Sequence, residues 1–320
     1  MNIETIPVLD YTWHVIANPN ACEHKSMNRW SIVSKRFDEV GLKYELHKTD
    51  SKGKGIEKAA QLCREGCRHL VVVGGDGTIN EVVNGIMTSG VDVQDVCLAV
   101  LPLGRGNDWA RTHHYPTKVE ECIETFLRGS FLRHDIGQVQ TFREGSEVAK
   151  RFFINIAGFG FDAEVIYDTT YNKPHFLGIS VYILSVLRCL FGYKSPVVEV
   201  NAPGFSFKTR VFLMVAAICQ YNGGGMRQAP DAIPDDGQLD VVIIPKVSPL
   251  RVLRLMLHVF SGKHIEKSKG LIRVCRSQEA LIASETLCRG EVEGELLETG
   301  VYKVSIVPRA FRVLTNMQEK

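Results

Sequence analysis

The chain has 320 residues, 45% of them apolar, enough for one large domain or two smaller ones. Its net charge of +2 offers no basic surplus to meet a polyanion, so nucleic acid is not an expected partner. Nine cysteines form no paired framework, and no second Cys/His pair completes a zinc spacing with Cys63 and Cys67, so free thiols in a reducing cytoplasm are expected.

The opening MNIETIPVLDYTWHVIANP has no basic segment followed by an apolar run, and a secretory signal is not expected. Thr12–Ala17 is a short apolar run ending at Asn18-Pro19. Asn28–Val40 has helical spacing and stops at Gly41, Lys43–Thr49 alternates as a strand, and Ile56–Glu65 is helical up to Gly66. Leu70–Val73 and Cys97–Leu103 are buried strands with a helix, Ile79–Met87, between them. This order predicts a parallel sheet covered by helices on both sides. Beyond Asp135, strand-like runs follow one another: Phe131–Thr141, Arg151–Ala157, Val197–Ala202, Thr209–Ile218 and Leu239–Pro245. Arg143-Glu144-Gly145 and Ala202-Pro203-Gly204 are hairpin signals. Helical segments interrupt near 175–192 and 249–261, so the second half reads as a mostly antiparallel β-rich domain facing the first across a cleft. The apolar run Phe176–Tyr193 is broken by Gly178, Ser180, Ser185 and Arg188, and a span needs roughly 20 apolar residues, so a buried helix is expected there.

The densest chemistry follows Val71-Val72-Val73. Gly74-Gly75-Asp76-Gly77-Thr78 turns from a strand into a helix, and its glycines allow a ligand close to the backbone. N–H groups there, with the helix N-terminus behind them, suit phosphate oxygens. Asp76 would repel phosphate unless a divalent cation such as magnesium lies between them. A plain turn with Asp76 or Thr78 as helix cap accounts for only some of these residues, and no Gly-Lys-Ser/Thr follows to make a Walker A loop. A second glycine turn, Gly104-Arg105-Gly106-Asn107-Asp108, closes the next strand, which puts both turns on one carboxyl edge of the sheet.

GGDGTINEVVNG together with LPLGRGNDWAR resembles the catalytic domain of the diacylglycerol kinase and sphingosine kinase superfamily, particularly its small soluble bacterial lipid kinases. Nearly the whole chain takes part: ANPNAC is similar to the family's nucleotide loop, FINIAGFGFDAEV to the opening of its second domain, GGGMRQAPDAIPDDGQLDVVII to its metal-binding loop and EVEGELL to its catalytic Asp-Gly-Glu loop. The resemblance implies an ATP site formed by Asn18, Pro19, Asn20, Ala21, Cys22, Thr49, Gly74, Gly75, Asp76, Gly77, Thr78, Asn80, Glu81, Gly104, Arg105, Asn107 and Asp108. It implies catalytic magnesium at Asp76, with Asp108 and Asp135 acting through water. A structural magnesium would be held by Asp236 and the carbonyls of Ile233 and Gln238. Glu295, with Glu293 beside it, would take the proton from the lipid hydroxyl. Glu291, Glu293 and Glu295 alternate, as on one face of a strand. Three positions depart from the family pattern: Cys22 replaces glycine, Arg105 threonine and Glu293 aspartate.

The expected organisation is an ATP-binding α/β domain over 1–135, completed by a C-terminal strand at about 306–320, and a β-rich lipid-substrate domain over 136–305. Diacylglycerol is the favoured acceptor in phospholipid biosynthesis. A sphingoid base or ceramide, an NAD kinase, and a non-catalytic lipid- or nucleotide-binding protein are the alternatives. Location is expected in the cytoplasm, peripheral to the inner membrane face, as monomer or homodimer. Between Lys246 and Arg276 eight Lys/Arg face a single acid, Glu266, a net of 8 − 1 = +7. There Val252, Leu255, Met256 and Val259 follow helical spacing beside Arg251, Arg254 and His258, and the segment is expected to dock on anionic membrane.

Overall fold

The computed structural model describes residues 2–18, 25–104, 106–171, 185–186 and 188–318, with the side chains of 25–29 left aside. Most of the segment expected to be helical near 175–192 lies outside the described residues. The first half alternates β2 (Thr12–Ala17), α1 (Lys25–Glu39), β3 (Lys43–Lys48), α2 (Lys54–Arg64), β4 (His69–Gly74), α3 (Asp76–Thr88) and β5 (Cys97–Pro102) after a short β1 (Ile3–Thr5). β3, β2, β4 and β5 pair in parallel in that order. Every residue of β5 is buried, which requires layers on both faces. The helices supply them as two pairs, α2 on α3 and α1 on α5 (Val119–Arg128). A side chain at Gly85 would sit 2.4 Å from the Ile56 carbonyl oxygen, so glycine is what lets α2 lie this close to α3. On the other side, the Phe126 ring meets Phe37 at 5.4 Å and Trp13 at 5.0 Å, and all three are fully buried. α4 (Asp108–Thr112) is a single short turn after β5.

The second half is antiparallel. β6 (Ser130–Arg143) turns through Glu144 and Gly145, both at positive φ, into β7 (Ser146–Phe153). The expected strand Arg151–Ala157 is two strands, because β7 stops at Phe153 and β8 begins afresh at Ile156–Gly160. α6 (Phe161–Tyr171) precedes β9 (Val197–Ala202) and the long β10 (Phe205–Ala217). β10 pairs β9 up to Arg210, shifts register between Val211 and Leu213, and then pairs both β8 and β11 (Leu239–Pro245). That bulge bends one strand from one sheet surface into the next. α7 (Pro249–Val259) and α8 (His264–Lys267) follow, then β12 (Arg273–Ser277), β13 (Glu279–Ser284), β14 (Gly290–Val292), β15 (Glu295–Leu296) and β16 (Val301–Leu314). β16 pairs antiparallel with β13 and β6, and its end joins β5 in parallel. One strand therefore stitches both halves together. Among the described residues, no helix is long and apolar enough to cross a membrane.

Candidate active site

The two glycine turns touch backbone to backbone. A Cβ on Gly104 would stand 2.4 Å from the Gly75 Cα, one on Gly75 would stand 3.1 Å from the Gly104 Cα, and the Leu103 N–H donates to the Gly74 carbonyl at 2.9 Å. Neither turn tolerates a side chain there. Gly77 differs: it is exposed and nothing lies within 4 Å of its missing Cβ, so the first turn of α3 is open to a ligand. Asn107, at φ 50°, holds the second turn by donating to the carbonyls of Pro102 and Gly104, both at 3.0 Å.

Neither Asp76 nor Thr78 caps α3. Gly75 occupies that cap without a side-chain bond. The Asp76 carboxylate instead reaches across and accepts the N–H groups of Asp108 and Trp109, each at 3.2 Å, at the start of α4. Burial first, and then the charge of Asp108, push the Asp76 carboxyl above its ordinary range. Asp108 is buried; one oxygen accepts the Gly224 N–H at 2.7 Å, and the other has no hydrogen-bond donor, although Arg111 Nε lies 3.5 Å away. Two neighbouring carboxylates, with one buried oxygen still lacking a donor, fit a hard cation.

Asp135 does not join them. Its carboxylate is fully buried and taken by the N–H groups of Gly237 and Arg309, both at 2.7 Å, and its own N–H binds the Pro234 carbonyl. Burial pushes it up to about 6, and the strut it forms ties β6 to the acidic loop and to the bend in β16. The donors expected to hold a structural magnesium are also differently engaged. One Asp236 oxygen accepts the Gln238 N–H and the other pairs with Arg276, whose Nε is 3.5 Å from buried Asp240. Ile233 is 39% exposed. As arranged, Asp236 is paired with the Arg276 guanidinium, so an ion there would have to displace it.

The three glutamates do not share a strand face. β14 and β15 form a two-residue hairpin with Val292 opposite Glu295, and its turn is Glu293 (φ 52°) and Gly294 (φ 85°). The turn separates their environments. Glu295 is half-buried between Lys52 at 2.9 Å and Arg151 at 3.8 Å. The Glu293 carboxylate is turned inward and accepts the N–H groups of Ile154 (3.2 Å) and Asn155 (2.7 Å). Those two N–H groups are what breaks the expected strand between β7 and β8. Burial, and then the charge of Asp76, push Glu293 up to about 8. Glu293 thus feels the charge of Asp76, which in turn feels that of Asp108, whereas Glu295 is paired with Lys52 and Arg151.

Glu291 is fully enclosed and accepts the Gly294 N–H at 2.7 Å, which braces the hairpin. Its other oxygen and Asp162 Oδ2 both crowd the bare Cα of Gly158, at 2.6 and 1.9 Å from the place of a Cβ. Burial raises Asp162 to about 7 and Glu291 well above the carboxylate range, with Asp162 adding to the second. Both acids bind their protons more tightly folded than unfolded, so their stabilisation is full at low pH and lost as pH rises through 7. We expect the Tm to fall over that window and the fall to flatten in Glu291→Gln. An equally steep fall in the variant would exclude the pair as its cause.

Other expected ligands have local partners. Thr49 is buried and bonds the Ala17 carbonyl through both N–H and Oγ1, and the Asn18 N–H reaches the Val73 carbonyl. Glu81 is a brace: its carboxylate accepts the N–H groups of Gly53 (2.7 Å) and Gly55 (3.0 Å) at the start of α2. Asn80 accepts from Asn84 Nδ2. Pro19, Asn20, Ala21, Cys22 and Arg105 lie outside the described residues.

The sequence reading missed two groups. Asn84 exchanges hydrogen bonds with both backbone groups of Phe152 (2.8 and 3.0 Å), pinning α3 to β7; only its place in NEVVNG hinted at it. His113, His134 and Cys219 are fully buried with ligand atoms within 4.8 Å of one another. His134 Nδ1 faces the Asp135 carbonyl, which can only accept, so Nδ1 carries the proton and Nε2 accepts from His113 Nε2 at 3.2 Å. Thr315 Oγ1 completes the chain at His113 Nδ1, 3.2 Å away. Burial pushes His134 down to about 4. Thr315, His113 and His134 form a neutral hydrogen-bonded wire from the end of β16 to the backbone carbonyl of Asp135.

Residues 12–139 match the diacylglycerol kinase catalytic domain, and residues 155–315 match the YegS C-terminal NAD kinase beta sandwich-like domain. A diacylglycerol kinase of Bacillus subtilis (strain 168) is 29% identical over 252 residues, 78% of this chain and 79% of its own length. That of Staphylococcus carnosus (strain TM300) is 26% identical over 263 residues, 82% of each chain. The fold is shared with a diacylglycerol kinase structure from Bacillus anthracis, with a TM-score of 0.70 at 17% identity over 95% of this chain and 97% of that one. It is shared more distantly with yeast NADH kinase complexed with NADH, at 0.56 and 11% over 96% and 83%. With both halves matched in order along one chain, the protein belongs to the diacylglycerol kinase catalytic-domain family and is a kinase.

Proposed function

We propose that this kinase transfers the γ-phosphoryl group of ATP to a hydroxyl of a membrane lipid, with diacylglycerol the favoured acceptor. The observation that carries the reading is the Asp76–Asp108 pair beside the open turn at Gly77, where one buried Asp108 oxygen lacks a hydrogen-bond donor. A carboxylate from the second half, pushed up to about 8, feels the charge of the carboxylate beside the open glycine turn of the first half. In this reading ATP lies over Gly75 and Gly77, its phosphates facing the first turn of α3. Magnesium, held by Asp76 and Asp108, would supply neutralisation of phosphate charge. The lipid hydroxyl enters between the halves and the ionised form of Glu293 accepts its proton, because Glu293, not Glu295, feels the charge of Asp76. Lys52 and Arg151 hold Glu295 at the mouth. Residues 1–135 with the final strand form the nucleotide side and residues 136–305 the lipid side, and the enzyme works at the inner membrane face.

The test supplies radiolabelled ATP and magnesium with one acceptor at a time: diacylglycerol, a sphingoid base, ceramide or NAD. Label in phosphatidic acid is the expected result. Label in another product moves the acceptor, and no label in any of them overturns the kinase reaction proposed here.

A further inference from the structure

α7 carries two apolar stripes, and only one is used by the fold. Val252 packs with Leu190 and Phe212, and Leu255 with Ala229 and Ile272. On the opposite side Leu250 is 80% exposed, Leu257 79%, Phe260 59% and Leu253 40%. At spacings of three, seven and ten residues these four fall within one strip of the helix surface. Leu250 and Leu257 are the most exposed large apolar side chains among the described residues. Isolated exposed leucines are ordinary on a protein surface, whereas a continuous strip marks a contact surface.

Charge selects the contact. Arg251, Arg254 and His258 flank the strip along the same helix, and Lys263, Lys267 and Lys269 follow it. The one acid of the segment, Glu266, pairs with Lys267 at 3.8 Å. Arg251, Arg254 and Lys263 have no ion pair among the described residues. A second copy of this face would bring like charges together. A bilayer with anionic headgroups matches both features: the acyl boundary takes the leucines and the headgroups meet the cations.

We propose that α7 lies in the plane of an anionic bilayer with Leu250, Leu253, Leu257 and Phe260 inserted, a placement that rests on the lipid-kinase reading for why the protein meets a membrane. The sequence-based expectation put Val252 and Leu255 in the docking stripe, whereas the structure spends both on the core.

The test is co-sedimentation of the full chain, without ATP or diacylglycerol, with vesicles of equal parts phosphatidylglycerol and phosphatidylcholine, and with phosphatidylcholine alone. The parent should pellet with the anionic vesicles at low salt. Leu250→Glu/Leu257→Glu should cut the bound fraction at least about tenfold, since two inserted apolar side chains are replaced by charges that the headgroups repel. Arg251→Glu/Arg254→Glu should also cut it at low salt, where screening is weak. Both variants should keep the parent's Tm and its turnover on a water-soluble short-chain diacylglycerol. The proposal is overturned if the parent does not pellet, if the leucine variant pellets like the parent at every ionic strength, or if the parent elutes as a dimer that this variant splits. Vesicle binding as expected with no acceptor phosphorylated would leave the docking surface standing and remove the kinase reaction.

Discussion

Asp76→Asn is expected to lower turnover by at least about 10²–10³-fold, the usual effect of removing one electrostatic contact to a transferring group, with the fold retained. The carboxylate of Asp76 has two duties that must be separated. It accepts the N–H groups of Asp108 and Trp109, and its charge serves the cation site beside Asp108. Asparagine loses the charge and keeps only one of the two acceptor oxygens, since Asp108 and Trp109 bond different oxygens of Asp76. Asp76→Ala loses both and should cost a further ~1 kcal/mol of stability through the missing cap. Turnover and Tm should therefore diverge: Asn inactive with a small loss of Tm, Ala inactive and less stable still. An active Asn variant would show that Asp76 is only a cap.

Glu293→Gln is expected to lower turnover by roughly 10²–10⁴-fold, the contribution of a positioned base, while ATP binding is kept. Glutamine can still accept the Ile154 and Asn155 N–H groups through its carbonyl oxygen, so the break between β7 and β8 should persist. The amide cannot take a proton. Glu295→Gln should be the milder change, because that carboxylate pairs with Lys52 and Arg151. Calorimetric ATP titration beside turnover separates binding from chemistry. If Glu295→Gln proves the more damaging, the proton acceptor is Glu295 and Glu293 is a structural brace.

Local grammar made the first half legible. Strand, glycine turn and helix are spelled in adjacent residues, and the observed β2 to β5 fall within a residue or two of their expected places. The acid loop was less legible because its geometry depends on a positive φ at Glu293, which nothing local requires of a glutamate. Alternating glutamates look like one strand face until the turn is known. The break at Ile154-Asn155 is likewise set from 138 residues away, by the carboxylate that both N–H groups reach. Glu81 shows the same blindness in reverse. It lies in the most legible motif of the chain, yet its partners are Gly53 and Gly55, and no spacing rule announces them.

The placement of β16 has a consequence for how the protein is made. β5 ends at Pro102, but the strand that covers its free edge begins at Val301. On the ribosome the parallel sheet emerges early with one hydrophobic edge unpaired, and every residue of the antiparallel half must follow before that edge closes. An uncovered strand edge invites pairing with another chain. Nascent chains stalled before Val301 should therefore be clients of chaperones that shield strands. A stop codon in the final strand should produce aggregates, with no separately folded nucleotide domain left behind.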